Sequence, residues 1–454
     1  MANDGADQEQ VPLSVVRAFE ITNFKSFEAK QTLDLSALTL LIGANASGKS
    51  NAVEALHLLS WMATGQRLGL VQSGVSDHRL DIRGSTGDLA NVPGRRMALG
   101  CDVGDPDSES SLFLRVGFEV DGAGLRIVDE SLRDTDAPGS IPLYQVVEPA
   151  TQHGREMLVA YNNFLRGRNK PQIHCVDEQP VFTQLTTPAR FEARHKEAQE
   201  TIPPACRRIR RTLEGILFLD PQPRAMRGYS FREEHRLSGN GSNLSGVLYE
   251  LIENRGLAAE VLEFVRDLPE QDIADVGFVD AARGDVMLRL LENFGGREQW
   301  REAVLLSDGT LRVLAIAAAL FSVDPGSMVV IEEIDNGVHP TRAGQLLERI
   351  RRVSVDRDLR ILLTTHNPAL LDKLPVASIP DVVCCFRDPD TGTSRLMTLR
   401  NLDGYSDLVA RGPLGRLLTQ GVVDRFLKRQ AQDENSRRQN AMEWVSDHFE
   451  RGGK

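Results

Sequence analysis

Residues 43–50 read Gly-Ala-Asn-Ala-Ser-Gly-Lys-Ser, and this segment constrains the fold more than any other part of the chain. It matches the pattern G-x-x-x-x-G-K-[ST], in which backbone N–H groups of a glycine-containing loop cradle phosphates. The Leu-rich run before it predicts a buried strand, and apolar residues recur at helical spacing from Ser50 to Met62. The alternative is a chance glycine-rich turn, but such a turn would not need to lie between a predicted strand and a predicted helix. The sequence therefore predicts a P-loop at a helix N-terminus, where the helix dipole favours negative charge.

Different side chains of this loop are predicted to contact different parts of the bound nucleotide and its metal ion. Lys49 is predicted to reach the β- and γ-phosphates of a nucleotide, and Ser50 to bind Mg²⁺. The neighbouring residues contribute their backbone groups or short side chains. The predicted nucleotide-binding residues of the loop are Gly43, Asn45, Ala46, Ser47, Gly48, Lys49, Ser50 and Asn51.

A second segment in the C-terminal half carries adjacent acids. The apolar run from Met328 to Ile331 predicts a strand, and Glu332 and Glu333 follow it directly. Two carboxylates at a buried strand end are costly unless a cation or hydrogen bonds compensate. We predict that Glu332 lies near Mg²⁺ and that Glu333 polarises the attacking water, as in a Walker B motif. A solvated strand-to-turn junction is the alternative.

Two further segments flank the acid pair. Leu306 to Arg312 reads Leu-Ser-Asp-Gly-Thr-Leu-Arg and leads into an apolar helix, so Ser307 and the helix-start N–H groups predict a second phosphate-binding end. Downstream, the run from Ile361 to Thr365 predicts another strand, which His366 follows. A lone histidine after a strand is usually structural. The alternation of buried strands and helices in this half favours a parallel α/β core.

Composition excludes several classes of protein. The 454 residues carry 53 Lys+Arg and 64 Asp+Glu, a net charge of −11, which argues against a chain whose whole surface wraps nucleic acid. The five cysteines have no CxxC spacing, so we expect reduced thiols and no zinc site. The N-terminus is not a signal peptide, and the longest apolar run, Val313 to Val323, is too short to span a bilayer. We expect a cytoplasmic protein without a membrane partner.

Taken in order, these motifs resemble those of ABC-type ATPases of the SMC, RecF and OLD kind. The likeness is greatest to AAA-type predicted ATPases of prokaryotic repair and antiphage systems. Ile21 to Phe27 resembles their opening NFKSF strand, and Ile331 to Pro340 resembles their EEPENGLHP stretch. Shorter matches lie at Phe218 to Pro221 and Gly241 to Leu244. The resemblance covers most of the span from 15 to 375.

The resemblance implies an ATP- and Mg²⁺-dependent ATPase that forms a head-to-tail homodimer or a larger homo-oligomer. ATP at one P-loop would be closed over by the partner's signature segment, and His366 would be the switch histidine near the γ-phosphate. Such a protein would act as a nucleotide-driven switch or sensor in DNA repair or antiphage defence and would control a separately encoded effector, for example a nuclease. The implied roles are catalysis for Lys49, Glu333 and His366; Mg²⁺ binding for Ser50 and Glu332; nucleotide contact in cis for Asn23 and Lys25; contact in trans for Ser307 and Gly309; and a D-loop position for Asp335.

The expected fold class is α/β, an ABC-type P-loop ATPase head with a mixed and parallel sheet. A mostly helical insertion, broken at Pro203-Pro204, is expected between the P-loop and the signature, and a helical tail at the C-terminus. The expected divisions are a disordered N-terminus at 1–12, an N-terminal lobe at 13–148, a helical insertion at 149–214, linking strands at 215–300, a C-terminal lobe at 301–400 and a tail at 401–454.

The family pattern leaves some features open. The first Walker B acid is usually Asp, so Glu332 could reach Mg²⁺ directly or through water. The Q-loop glutamine has no firm position, and Gln72 is a candidate only because it follows the first helix. Three other functions compete: an OLD-like nuclease, an ATP-gated scaffold with little turnover, and a transporter subunit. Asp388-Pro389-Asp390 fits the D-x-D pattern of a Toprim nuclease, but the segment from Cys384 to Leu399 reads better as a hairpin.

Arginine clusters raise the question of DNA contact. Two clusters could line a surface that follows the phosphate backbone, and binding of that kind would depend on salt. The alternative is that these arginines are solvated or paired with nearby acids such as Glu233 and Glu234. The clusters comprise Arg207, Arg208, Arg210 and Arg211, and then Arg224, Arg227, Arg232 and Arg236.

Overall fold

A computed structural model describes residues 13–71, 80, 82–106, 108, 110–121, 124–136, 141–151, 154–167, 169–266, 272–336 and 343–451, without the side chains of 294 and 438–451. The N-terminal segment 1–12, expected to be disordered, lies outside these residues, as does Gln72.

The described residues form eighteen strands. They are β1 Val15–Thr22, β2 Gln31–Asp34, β3 Leu38–Ile42, β4 Met97–Gly104, β5 Ser111–Asp121, β6 Gly124–Asp134, β7 Tyr144–Glu148, β8 Glu156–Tyr161, β9 Gln172–Val176, β10 Leu217–Leu219, β11 Ser230–Phe231, β12 Ile273–Asp280, β13 Asp285–Phe294, β14 Arg297–Glu302, β15 Met328–Ile331, β16 Arg360–Thr365, β17 Val383–Arg387 and β18 Ser394–Thr398.

The described residues also form ten α-helices, besides short 3-10 turns and a π-helical turn at Glu250–Asn254. The helices are α1 Lys49–Ala63, α2 Val181–Gln184, α3 Lys196–Glu214, α4 Leu244–Tyr249, α5 Ala258–Arg266, α6 Asp308–Ser322, α7 Ala343–Asp356, α8 Tyr405–Ala410, α9 Leu414–Thr419 and α10 Val422–Arg451.

The chain divides into two compact units. The first comprises residues 13–20, Leu56–Ile216 and Pro325–Met328. The second comprises Ile21–Ala55, Leu217–Asp324 and residues 329–451. The six divisions expected from the sequence are finer than these two units, and their boundaries remain predictions.

The second unit is built on a six-stranded sheet with the order β10-β15-β16-β3-β17-β18. Strand β3 pairs in parallel with β16 and β17, and β10 pairs in parallel with β15, whereas β17 and β18 are antiparallel. All five residues of β3 and all four of β15 are buried. Continuous apolar strands suit a parallel sheet covered on both faces. The expected α/β class with a mixed and parallel sheet is confirmed.

The first unit contains an antiparallel sheet in which β1, β4, β5, β6, β7, β8 and β9 follow one another. Each successive pair from β4 to β9 is antiparallel. Here the expectation of a mostly helical insertion is wrong, because 156–161 and 172–176 are strands and helix begins only at Val181. Strand β9 lies at the end of this strand order, and all its residues but Cys175 are partly or fully exposed, so its polarity resembled that of a surface helix.

Helix α3 does not break at its two prolines. It runs without interruption from Lys196 to Glu214, with Pro203 and Pro204 inside it. Proline fixes φ near the helical value, but each ring removes one backbone hydrogen bond and crowds the carbonyl group of residue i−4. The burial of Ile202, Cys206 and Ile209 along one face supplies the compensating packing.

The C-terminal segment confirms the expected hairpin and helical tail. Strands β17 and β18 pair from Val383↔Thr398 to Arg387↔Ser394. In the turn between them, Asp388 Oδ1 accepts hydrogen bonds from the backbone N–H groups of Asp390 and Thr391. Asp388 also pairs with Arg395 at 2.6 Å, and its side chain is only 1% exposed. A carboxylate committed in this way does not suit a catalytic metal of the D-x-D type.

A candidate nucleotide-binding site

The loop between β3 and α1 requires glycine at two positions. A Cβ atom at Gly43 would lie 2.1 Å from the backbone oxygen of Cys385. A Cβ at Gly48 would lie 2.3 Å from Ser394 Oγ, and Gly48 also has a φ of +120°. Both contacts are far below van der Waals distance, and the positive φ excludes most side chains. The two glycines of the sequence motif are therefore explained by close approach of the β17–β18 hairpin.

The same hairpin holds the carbonyl groups of the loop. Arg387 Nε donates to the Ala46 oxygen at 2.9 Å. The Ser47 oxygen accepts from Cys385 Sγ at 3.4 Å and from Ser394 Oγ. The C=O and the N–H of a trans peptide point in opposite directions. Holding the Ser47 carbonyl therefore turns the Gly48 N–H away from the hairpin, as a phosphate cradle requires.

Ser47 supplies a test of whether a ligand fits the loop. Its side chain is buried, 4% exposed, and its Oγ atom has no hydrogen-bond partner. A buried polar atom without a partner is costly in a folded protein, so such an atom at a functional loop calls for an explanation. Phosphate oxygens would satisfy this hydroxyl, and the residues present therefore fit a phosphate-bearing ligand.

Lys49 lies at the start of α1 and folds back on its own loop. Its Nζ atom donates to the oxygens of Gly43 at 2.6 Å and Ala44 at 3.2 Å. The pKa of Lys49 is lowered, mainly because the side chain is buried, and the nearby carboxylates of Glu333 and Asp335 oppose this shift. The ammonium group therefore interacts electrostatically with the acids that follow β15, which lie more than 280 positions away in the sequence.

The acids after β15 are ordered by the end of the neighbouring strand β16. The Glu333 N–H donates to Thr364 Oγ1 at 3.0 Å, and Asn336 Nδ2 donates to Glu333 Oε2. Asp335 Oδ1 accepts from Thr365 Oγ1 at 2.6 Å.

His366 completes this edge of the sheet. Its Nε2 atom lies 3.8 Å from Asp335 Oδ2, and its side chain is about half exposed. The structure thus brings the predicted residues Lys49, Glu333 and His366 to the carboxyl ends of three adjacent strands. Asp335, expected in a D-loop, belongs to the same cluster; residues 337–342 of that expected loop are outside the described chain.

The predicted magnesium ligands are Ser50 and Glu332. The Glu332 N–H donates to the Leu219 oxygen of β10 at 3.0 Å, which fixes the backbone of Glu332 between β10 and β16. Within the described ranges, no group of three or more His, Cys, Asp or Glu side chains could hold a metal ion. Mg²⁺ is commonly bound by one or two protein oxygens together with water and substrate phosphates. Binding of Mg²⁺ by Ser50 and Glu332 remains a prediction.

Three other predicted residues have structural contacts behind the loop. Lys25 Nζ forms an ion pair with Glu54. Asn51 Nδ2 donates to Ser26 Oγ at 2.7 Å, and the hydroxyl groups of Ser26 and Ser394 are hydrogen-bonded to each other at 2.7 Å. Asn23 is buried, with a φ of +51°. Direct contact of Asn23, Lys25 and Asn51 with a nucleotide therefore remains a prediction.

The signature segment is organised by its own helix and by one arginine. Ser307 is the N-cap of α6, and its Oγ accepts from the Thr310 N–H at 3.1 Å; Gly309 lies in the first turn. Arg227 donates to the oxygens of Ala303, Val304 and Leu306 at 3.2, 2.9 and 2.7 Å, and pairs with Asp308 at 2.6 Å.

Sequence reasoning missed these supporting residues. Arg227 belongs to an arginine cluster for which the sequence leaves both DNA contact and pairing with acids open, and nothing local connects it with a helix about 80 positions later. Ser394 and Arg387 carried no motif at all. Only Ser26 had a signal, because it belongs to the NFKSF segment.

Several other clustered arginines also have partners within their own unit. In the first unit, Arg207 donates to the Thr186 oxygen, Arg208 to Ser14 Oγ, and Arg210 lies 3.6 Å from Glu214. In the second unit, Arg232 pairs with Asp280 and lies over the Tyr249 ring. These contacts favour the alternative that the arginines are paired within the fold.

Comparisons with known families agree with this geometry. Residues 182–372 match a family described as "AAA domain, putative AbiEii toxin, Type IV TA system", and residues 15–65 match one described as "AAA ATPase domain". The second match contains the P-loop, and the first contains the signature segment, the acid pair and His366. The chain contains an AAA-type P-loop ATPase domain. No curated protein matched it.

Solved structures with some similarity are SMC head domains. One is bound to the C-terminal winged-helix domain of ScpA (11% identity, TM-score 0.46, covering 84% of this chain and 97% of that chain). Another is the SMC head domain from Thermotoga maritima (12%, 0.37, 85% and 98%). A third, from Pyrococcus furiosus, has an extended coiled coil and is bound to the C-terminal domain of ScpA (12%, 0.44, 88% and 99%). Along the described residues, no helix has the length and hydropathy to cross a membrane.

Proposed function

We propose that this ATPase binds and hydrolyses ATP with Mg²⁺, and that ATP closes two copies of the chain head to tail. The observation that carries the proposal is the convergence of Lys49 with Glu333 and Asp335 at one edge of the parallel sheet. A cation placed for phosphates beside an acid placed for water is the arrangement that phosphoryl transfer to water needs.

In the proposed reaction Lys49 exchanges the oxygens of Gly43 and Ala44 for the β- and γ-phosphates. Ser50 and Glu332 would hold Mg²⁺, and the bound ion would supply positive charge that offsets the charge developing on the phosphate oxygens. Glu333 accepts a hydrogen bond from the attacking water, orients the water towards the γ-phosphorus and takes its proton, while His366 donates a hydrogen bond to the γ-phosphate. Asp335 Oδ2 lies 3.8 Å from His366 Nε2, at the same edge of the sheet. Ser307 and the N–H groups at the start of α6 contact the γ-phosphate of the partner's nucleotide.

The head-to-tail arrangement can be tested by mixing two inactive variants. Lys49→Ala removes a P-loop function and Ser307→Arg blocks the signature. In a mixed dimer, one site would combine both defects and the other would be intact, so equimolar mixing is expected to restore about a quarter of the wild-type ATPase rate.

The control for this mixture is Lys49→Ala with Glu333→Gln. Both changes fall on the cis side of a site, so every site in the mixed dimer keeps one defect and no activity should return. Recovery in the control, or none in the Lys49→Ala and Ser307→Arg mixture, would contradict the head-to-tail proposal. Light scattering with and without ATP would report the mass of the assembly, including any homo-oligomer above a dimer.

We further propose a cytoplasmic switch or sensor in DNA repair or antiphage defence that controls a separately encoded effector. ATP can drive such a switch only if it binds the closed state more tightly than the open one. The support is the resemblance in sequence and the family description, which names a toxin–antitoxin system. Purification with the products of neighbouring genes, followed by mass measurement of the ATP-bound complex, would identify the effector; an ATP-bound protein that binds none of them would contradict this part.

Contact with the DNA backbone has less support, because most of the clustered arginines already contact other groups of the protein. The exposed Arg211 and Arg224 would have to carry such binding. Affinity for duplex DNA that does not fall between low and moderate salt would exclude an electrostatic contact.

A further inference from the structure

The backbone of Glu333 is in an unusual conformation. Its φ is +49°, in the left-handed region that residues with a side chain rarely adopt. Such a conformation costs free energy and persists only where the surroundings impose it. It occurs here directly after a strand, at the residue proposed to orient water.

One residue of the neighbouring strand holds both peptide groups that flank the Glu333 Cα atom. The Glu333 N–H donates to Thr364 Oγ1 at 3.0 Å, and the Ile334 N–H donates to the Thr364 backbone oxygen at 3.1 Å. Thr364 is itself fixed, because it is 4% exposed and pairs with Leu41 in the register of β16 and β3. Burying a hydroxyl in an apolar strand is unfavourable unless the hydroxyl makes hydrogen bonds.

We propose that Thr364 is a positioning residue for Glu333: its hydroxyl holds the acid in the left-handed conformation that directs the carboxylate to the attacking water. This inference rests on the proposed hydrolysis. Because the Thr364 hydroxyl bonds to the backbone of Glu333, we expect its loss to affect the chemical step more than nucleotide binding.

The test uses a variant that changes one atom. Thr364→Val keeps the shape of the side chain and removes Oγ1, whereas Thr364→Ser keeps Oγ1. We expect Thr364→Val to lower kcat about 5- to 30-fold, because one hydrogen bond that holds the backbone of Glu333 is lost. The Kd for ATP should stay within about 3-fold of the wild-type value. Thr364→Ser should recover most of the rate. Thr39→Val, a buried threonine of β3 whose Oγ1 accepts from the Ser36 N–H, is the matched control and should keep the wild-type kcat.

A second readout needs no nucleotide. Amide hydrogen exchange of a peptide covering residues 331–336 should be faster in Thr364→Val than in wild type, because the Glu333 N–H loses its acceptor. If Thr364→Val does not fold, Thr364→Cys can replace it, because the cysteine thiol is of similar size and is a poorer acceptor. Its kcat and its exchange rate should lie between the wild-type values and those expected when the hydrogen bond is lost completely. Unchanged kcat and unchanged exchange in the folded variant would overturn the proposal.

The proposed function can fail separately. If wild type binds ATP but shows no hydrolysis above that of Glu333→Gln, then hydrolysis is wrong, and the exchange experiment still decides whether Thr364 holds Glu333. If wild type hydrolyses ATP and Thr364→Val matches it, only the role of Thr364 is wrong.

Discussion

At the scale of single residues, the conformation of the phosphate loop requires a residue without a side chain at position 48. Gly48 combines a φ of +120° with a position where a Cβ would meet Ser394 Oγ at 2.3 Å. The Ser394 hydroxyl cannot move away without releasing the Ser47 carbonyl and Ser26. The loop conformation and its support are therefore a single unit, and both would be lost together.

Gly48→Ala is predicted to weaken ATP binding at least about 10-fold, because the cost of a strained φ and of a displaced Ser394 is more than 1 kcal/mol. Calorimetric titration with ATP measures the change. Gly69→Ala is the control, since its Cβ would meet nothing within 4 Å and its φ is not positive. Wild-type affinity in Gly48→Ala would show that the loop does not bind phosphate in this conformation.

Glu130 is a buried carboxyl of the first unit with a pH-dependent effect on stability. Burial raises its pKa from 4.5 to about 7, although hydrogen bonds from Tyr144 and from the N–H groups of Val181 and Phe182 lower it. Since the folded-state pKa is above the unfolded value, the folded protein binds more protons between pH 4.5 and 7. The free energy of unfolding from this group therefore falls as the pH rises through that window.

Glu130→Gln removes this titration, so we predict that the stability difference between wild type and variant shrinks by up to about 3 kcal/mol from pH 5 to pH 8. Urea unfolding at both pH values measures it, and other titrating groups cancel in the difference. An equal difference at both pH values would show that Glu130 titrates near its ordinary pKa in the folded protein.

At the scale of elements, the start of α6 depends on Arg227. One guanidinium spans three backbone oxygens and Asp308, a planar set of donors that the single ammonium of lysine cannot reproduce. The segment from Ala303 to Asp308 would lose its anchor without Arg227, and Ser307 lies within it.

We predict that Arg227→Met lowers kcat about 10-fold or more and leaves the Kd for ATP at the P-loop unchanged, since two or more charge-assisted hydrogen bonds are lost. Arg227→Lys should recover little. Arg224→Met, three residues earlier and exposed, should behave as wild type. A loss of ATP affinity equal to the loss of kcat would show that Arg227 supports the whole fold and not the signature segment.

The C-terminal helix is joined to the β17–β18 hairpin through a buried ion pair. Arg395 bonds to Asp388 at 2.6 Å and to Glu434 of α10 at 2.9 Å, and Asn435 donates to Asp388 Oδ2 at 3.1 Å. Removing only the cation leaves a buried carboxylate without its charge partner.

Arg395→Met is therefore predicted to lower the free energy of unfolding by about 3–5 kcal/mol. Chemical denaturation measures this, and Arg416→Met on the exposed side of α9 should change stability by less than about 0.5 kcal/mol. If both variants unfold at the same denaturant concentration as wild type, the ion pair contributes nothing to holding α10 on the hairpin.

The parts of the fold that could be predicted are those with local signals. The P-loop, the buried run before Glu332 and the apolar helix after Ser307 each have a periodicity or a motif of their own. Strands β8 and β9 were missed because their pairing partners, and not their composition, make them strands. Arg227, Thr364 and Ser394 were missed for a related reason, since each acts on a segment that the fold alone brings near.

At the scale of the whole molecule, the two units differ in what they offer to function. The second unit contains the phosphate loop, the acids, His366 and the signature helix. The first unit contains an antiparallel sheet and α3. Its Glu130 and Tyr144 are buried and hydrogen-bond to each other within that unit. The residues proposed to carry out nucleotide chemistry therefore all lie in the second unit.

The measurement that tests this account most directly is steady-state ATP hydrolysis by wild type and Glu333→Gln, with ATP affinity measured in parallel. The substitution keeps the size of the side chain and removes its ability to take a proton. Losing a group that acts as a general base is predicted to slow hydrolysis about 100-fold or more, with little change in affinity. Glu298→Gln, an exposed carboxylate of β14, should hydrolyse ATP as wild type does. If wild type and Glu333→Gln hydrolyse ATP at the same rate while both bind it, Glu333 is not the residue that orients water.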